Sequence, residues 1–349
     1  MTINVLLTGA GGLLAHFMYR ALLASKLALR IVACDYSHNA VGLYRADVGY
    51  VVPPAKDADY IPKIIEICQR ERVDIIMIGS MAEMRVLAQN KDAVESQTSA
   101  VVVASPPEVI RRAEDKWELT RYLAKAGYAF PISVLPGDRS DLSRFLREVA
   151  FPYVVKDRFG SGSERFAIAR NERDLDYLVE VIPNPVVQEY LYPDDEEYTV
   201  GVFVCRSGVA AASIVMKRQL GPALTSMLTA KAEVLPQSEL GDYCERVVEG
   251  IGCVGPCNVQ LRVTNRGPVV FEINPRFSST TSARPHFGYN DAAMCIRHFV
   301  LNEEIQRPSI SAGRLFRVVE DVFVEEAVFD LLRKNGRIEN PNRERSRVL

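Results

Sequence analysis

Asn258-Val-Gln-Leu-Arg-Val-Thr264 and Pro268-Val-Val-Phe-Glu-Ile-Asn274 flank the turn signal Asn265-Arg266-Gly267. Both runs alternate in character, so the pair reads as a β-hairpin. Successive side chains point to opposite faces of a strand. Val259, Leu261 and Val263 therefore share an apolar face with Val269, Phe271 and Ile273; Asn258, Gln260 and Arg262 share the other with Val270, Glu272 and Asn274. With a three-residue loop, Thr264 faces Pro268, Gln260 faces Glu272 and Asn258 faces Asn274. Opposed residues stand about 5 Å apart at Cβ. One face thus gathers a carboxylate and three amides, hard oxygen donors of the type that suits Mg²⁺. A solvated polar face would share the pattern. However, asparagine is a poor strand former, and the second strand runs straight into Pro275-Arg276-Phe277-Ser278-Ser279-Thr280-Thr281. An arginine and hydroxyls just beyond oxygen ligands make an anion site.

Upstream, the first hundred residues alternate short apolar strands (3–7, 29–34, 75–78, 100–103) with helical patterns (12–24, 60–70, 81–90). That alternation predicts a doubly wound α/β domain with a parallel sheet covered on both faces. Ser105-Pro106-Pro107 marks a break, and a helix over 116–126 follows, ended by Gly127. From Pro152 strands arrive in pairs joined by tight turns, the signature of α+β structure with antiparallel sheet. The boundaries expected are 1–105, 106–190 and 191–349.

The bulk composition excludes some classes. A formal net charge of −2, without a long run of one sign, gives no whole-surface attraction to nucleic acid or an anionic membrane. No stretch reaches the roughly 20 apolar residues of a membrane span, and the N-terminal apolar residues read as strand and amphipathic helix rather than signal peptide. Seven cysteines without a paired framework suggest reduced thiols and a cytoplasmic location. Cys253 and Cys257 lack further ligands and read as small buried residues.

The hairpin, with Gly255-Pro-Cys-Asn-Val-Gln260 and Val270-Phe-Glu-Ile-Asn-Pro-Arg276, resembles the ATP-grasp superfamily of ligases, specifically its carbamoyl-phosphate-synthetase-like branch. The resemblance covers nearly the whole chain. It implies an ATP-grasp fold behind an N-terminal Rossmann-like domain, and two Mg²⁺ ions (Mn²⁺ as alternative) on Gln260, Glu272 and Asn274. It places Arg276, Lys156 and Arg218 at the transferred phosphate and Lys116 at the α-phosphate. Ser161 and Gly162 fall in a glycine-rich lid, Phe159-Gly-Ser-Gly-Ser163. Gln188, Glu189, Tyr190 and Leu191 match the adenine-reading segment, and Glu197 the ribose carboxylate. Further substrate contacts are Gly11, Lys217, Ser278, Ser279 and Arg284, the last as a bidentate clamp on a substrate carboxylate. Gly201 stands where many relatives have an acidic residue.

The implied activity is ATP-dependent carboxylate–amine ligation through an acylphosphate, on an amino acid or similar small carboxylic acid, with an amine as second substrate. A homodimer is the family expectation. One alternative uses Thr8-Gly-Ala-Gly-Gly-Leu-Leu14 and Asp35 to bind NAD(P) as an oxidoreductase. That loop matches only part of the dinucleotide fingerprint, because Leu14 takes the third glycine's place. It reads better as a tight turn on the substrate side. A non-catalytic nucleotide-binding homologue is the other alternative.

Overall fold

A computed structural model describes residues 2–159, 166–220, 226–230, 237–316 and 322–340. Three sheets organise them. The first has the order Arg337–Glu339, Val48–Val51, Leu29–Asp35, Ile3–Leu7, Ile75–Met77, Val101–Val102. All its neighbours are parallel except the first pair. Its strands are short and almost wholly buried, as the uniform apolar runs require. The strand Val48–Val51 and the returning strand Arg337–Glu339 carry no pattern that announced them. The latter is fastened by Ile338, which is buried, and by Arg337, which meets Tyr50 and Glu71.

The second sheet, ordered Ser133–Val134, Pro185–Glu189, Tyr153–Asp157, Phe166–Ala169, is antiparallel. The third runs Gly267–Asn274, Gly255–Thr264, Glu197–Val204, Ala210–Leu220, Ser226–Ala230, Gly313–Phe316, also antiparallel. On one face of this sheet Tyr198, Val200, Val259, Leu261, Val270 and Ile273 pack with the helix Gln237–Ile251. The opposite face presents Glu197, Thr199 and Gly201, paired with Arg262, Gln260 and Asn258.

The hairpin register holds where it matters, for a different reason than a three-residue loop. Gly267 has φ +87°, so pairing begins there; Thr264 faces Gly267 rather than Pro268. A bulge beside Gln260/Leu261 then takes up one residue and restores Gln260 opposite Glu272 and Asn258 opposite Asn274. Val270 consequently joins the apolar core, and the Phe271 ring turns toward Lys156, 5.9 Å from its Nζ.

Candidate active site

Lys116 owes its position to a cap. The Asp115 carboxylate accepts from the N–H groups of Trp117 and Glu118 at 3.1 and 3.2 Å, starting the helix Lys116–Lys125. The same carboxylate holds Arg158 at 2.7 Å through both Nε and Nη2, and Lys116 N–H donates to the Arg158 carbonyl. The exit of the strand Tyr153–Asp157 is thereby tied to the start of the helix. Burial alone would raise the Asp115 carboxyl; Arg158 and the two N–H groups outweigh it and hold it below the usual carboxylate range.

That tie brings two lysines together. Burial lowers both, and the charge of Lys116 helps bring Lys156 down to about 8, with Glu272 opposing. Asp157, Asp115 and Glu114 also act on Lys116, so the two ammonium groups stand in a desolvated site of mixed charge, where a polyphosphate can pair with them. A cavity of about 50 Å³ is lined by Lys116, Glu272, Asn274 and Arg276, with Met81, Arg85, Glu114 and Phe159 among the other walls. Asn274 Nδ2 donates to Glu272 Oε1 at 2.7 Å. Arg276 is anchored to the Phe277 carbonyl at 2.8 Å and lies 2.7 Å from Met81 Sδ; burial lowers its pKa while Glu272 opposes.

Gln260, Glu272 and Asn274 share one face by register. As a donor set, one carboxylate with amide oxygens fits a hard divalent cation that keeps water and phosphate oxygens as its remaining ligands. Among the described residues no cluster of three His, Cys, Asp or Glu side chains offers a competing metal site.

Arg218 donates to Glu197 through Nε at 2.9 Å and to Gln260 Oε1 at 3.1 Å. Glu197 also receives Arg262 Nη2 at 2.8 Å. Lys217, one residue from Arg218, points to the other face: it pairs with Glu196 at 2.5 Å and lies over the Tyr198 ring. The alternation of the strand therefore removes Lys217 from the expected substrate contacts. Gln188 is buried and donates to Ser133 Oγ at 2.8 Å, while Glu189 accepts from Ile132 N–H at 2.7 Å and pairs with Arg266. Tyr190 and Leu191 continue this segment beside Arg262. Ser161 and Gly162 lie outside the described residues.

Arg284 is not a substrate clamp. It is fully buried, paired with Asp291, and its Nη2 donates to Asn258 Oδ1 at 2.7 Å and Ser278 Oγ at 3.0 Å. Ser278 is buried with it, whereas Ser279 is exposed on the same loop. The glycine at 201 follows from this: a Cβ there would stand 2.4 Å from Arg284 Cζ.

Three amides of the opening glycine loop are bonded internally. Ala10 N–H donates to the Cys34 carbonyl, Gly11 N–H to Asp35 Oδ2 and Gly12 N–H to the Gly9 carbonyl, at 3.1, 2.8 and 2.9 Å. Those three amides have no call on a pyrophosphate. Glu83, buried below, accepts from Thr8 Oγ1, Ser80 Oγ and Tyr60 OH at 3.0, 2.7 and 3.1 Å. Gly9, at φ +60°, would place a Cβ 2.7 Å from Glu83 Oε2. Gly11 remains in the wall of the first domain through its bond to Asp35.

Residues 113–280 match the ATP-grasp domain family, and residues 5–102 match the PylC-like N-terminal domain. The chain carries an ATP-grasp domain. Its ATP-grasp relatives include the carbamoyl phosphate synthase large chain of Hyperthermus butylicus, 27% identical over 240 residues, covering 64% of this chain and 22% of the relative. The chain thus spans about a fifth of that relative's length. The fold matches N5-carboxyaminoimidazole synthetase from Staphylococcus aureus complexed with ADP, with TM-score 0.70 and 17% identity over 88% of this chain and 79% of that one. It also matches an L-amino acid ligase from Bacillus licheniformis, with TM-score 0.64 and 14% identity over 86% and 74%. Among the described residues no helix is long and apolar enough to cross a membrane.

Met81, Arg85 and Glu114 line the cavity and Arg262 holds Glu197, yet motif reading gave them no role; Phe159, which also lines the cavity, it placed only at the start of the lid. Arg262 was in plain view beside Gln260 on the polar face. Ser80-Met-Ala-Glu83 is a capping-box pattern, and Ser80 Oγ does accept from Glu83 N–H at 3.3 Å.

Proposed function

We propose that this protein is an ATP-dependent carboxylate–amine ligase. The observation that carries the proposal is one cavity lined by Lys116, Glu272, Asn274 and Arg276, with Lys156 near enough to Lys116 and Glu272 for their charges to act on it. A carboxylate resists attack by an amine because its leaving group would be an oxide. Transfer of a phosphoryl group to the acid gives an acylphosphate; the amine adds to its carbonyl, and inorganic phosphate leaves.

Most of that work is positioning and charge neutralisation. In this reading Lys116 and Lys156 hold the nucleotide phosphates, and Arg276, fixed by its bond to the Phe277 carbonyl, balances charge developing on the transferred group. Gln260, Glu272 and Asn274 would hold two Mg²⁺ ions, which supply Lewis-acid neutralisation of the polyphosphate. The segment Gln188–Leu191 reads the base, Glu197 the ribose, and Arg218 the phosphate side. The first unit, 1–105, supplies an acceptor wall that includes Gly11, 106–190 covers the nucleotide, and 191–349 carries the metal floor. A homodimer in a reducing, cytoplasmic setting completes the proposal. The acid is an amino acid or similar small molecule, in keeping with the L-amino acid ligase among the solved structures of this fold.

The test is Mg²⁺-dependent ADP release across a panel of amino-acid pairs. The wild type should turn over at least one pair, and Glu272→Gln should lower kcat at least a hundredfold without changing the melting temperature. Near-normal turnover by that variant would overturn the site assignment.

A further inference from the structure

Arg262 joins two parts of the nucleotide site that the sequence keeps far apart. It stands opposite Glu197 in the pairing of Gly255–Thr264 with Glu197–Val204. Its Nη2 donates to Glu197 Oε2 at 2.8 Å, and its Nη1 donates to the Leu191 carbonyl at 2.5 Å. The guanidinium lies over the Tyr190 ring at 5.7 Å, with its side chain 13% exposed. Arg218 takes the other oxygen of Glu197 and reaches Gln260. An unbroken chain of polar contacts therefore runs Leu191, Arg262, Glu197, Arg218, Gln260, from the proposed base end to the proposed metal end.

We propose that Arg262 is the residue that makes nucleotide selection cooperative, fixing the base-reading backbone and the ribose-reading carboxylate as one rigid unit. This rests on the assignment of Gln188–Leu191 to the base and Glu197 to the ribose. The planar guanidinium is what the geometry demands. One fork satisfies a carbonyl and a carboxylate together, whereas a lysine ammonium is a point donor on a flexible stem. Without the fork, Glu197 keeps only its bond to Arg218, which pulls it toward Gln260 and away from Leu191. The carboxylate then loses the fixed position from which it would accept ribose hydroxyl protons. Glu197 stays paired with Arg262 and Arg218 when the hydroxyl is missing, so the preference for ADP is the extra hydrogen bond that a carboxylate fixed in place makes with it. Loosening Glu197 weakens that bond, so selectivity falls along with affinity. Arg262 is a positioning residue: it acts through Glu197 and Leu191.

The experiment measures dissociation constants for Mg·ADP and Mg·2′-deoxyADP by calorimetry in wild type, Arg262→Met, Arg262→Lys and Glu197→Gln. The wild type should prefer ADP at least tenfold. In Arg262→Met the constant for ADP should rise at least tenfold and that for 2′-deoxyADP less than threefold, bringing the preference near unity. Arg262→Lys should fall between. Should the methionine variant fail to fold, the lysine variant carries the test, because a loss confined to ADP is not produced by general destabilisation. A wild type that binds both nucleotides equally, or variants that weaken both equally, would overturn the role of Arg262 while leaving nucleotide binding intact. A wild type that binds neither would overturn the nucleotide site itself, and this inference with it.

Discussion

Replacing Arg284 by methionine tests whether the buried Arg284–Asp291 pair supports the site from behind. Both side chains are 1% exposed or less. Removing one partner leaves a carboxylate in the core with no counter-charge, which costs about 3–5 kcal/mol. Asn258 and Ser278 also lose donors, so the upper half of that range is expected. At roughly 2–4 °C per kcal/mol for a unit of this size, the melting temperature should fall by about 10 °C.

The pH dependence gives a sharper signature. Burial already raises the Asp291 pKa, and Arg284 is the main opposing influence. Without Arg284 the folded-state pKa rises further. Between the unfolded value of about 3.9 and that raised value, the native state holds a proton the unfolded chain has released. Stability therefore increases on acidification, by up to ~1.4 kcal/mol per pH unit. Urea unfolding at pH 8, 7 and 5.5 should show a deficit that narrows steadily. Adding Asp291→Asn should recover much of it. A deficit under 1 kcal/mol at pH 7, or one that does not change with pH, would refute the reasoning.

Other perturbations have equally definite outcomes. Gly201→Ala drives a methyl against Arg284 and should cost about 1–3 kcal/mol by urea unfolding, with most of the loss relieved in the Arg284→Met background. Lys156 is held near 8, so a polyphosphate that favours its charged form must draw a proton at higher pH. Mg·ADP affinity should fall as pH rises from 8 to 9.5, and the calorimetric proton uptake should shrink in Lys156→Met, with the remainder belonging to Lys116. For the unliganded protein the sign runs the other way: between pH 8 and the unfolded lysine value the native state binds fewer protons, so Lys156 favours folding increasingly as pH rises. NAD⁺ should leave the melting temperature unchanged where Mg·ADP raises it, because the amides of Ala10, Gly11 and Gly12 are already engaged; a selective NAD⁺ shift would restore the oxidoreductase reading.

The polar face proposed to hold metal was legible as a face because strand alternation is a local rule and the pairs Gln260–Glu272 and Asn258–Asn274 lie in one hairpin. The two lysines were legible only by resemblance. What assembles them, Asp115 gripping Arg158, spans 43 residues and leaves no periodic trace. Arg284 shows the limit most clearly. An arginine in a polar loop after Arg276 has the sequence appearance of a ligand contact, and only the burial of Asp291 and the hollow at Gly201 reveal it as a pin. The bulge that returned Glu272 to its partner was equally invisible, because its cause is the positive φ of Gly267 offset by an extra residue at Phe271.

The strand Arg337–Glu339 closes the first sheet against Val48–Val51. During synthesis that partner emerges about 290 residues after Val51, about 15–60 s later at ~5–20 residues per second. Until then the edge at Val48–Val51 presents open backbone donors and acceptors to other nascent chains. A ribosome-bound fragment ending before Arg337 should therefore lean on chaperones, and the arrival of Arg337–Glu339 acts as the clasp that releases the sheet from them.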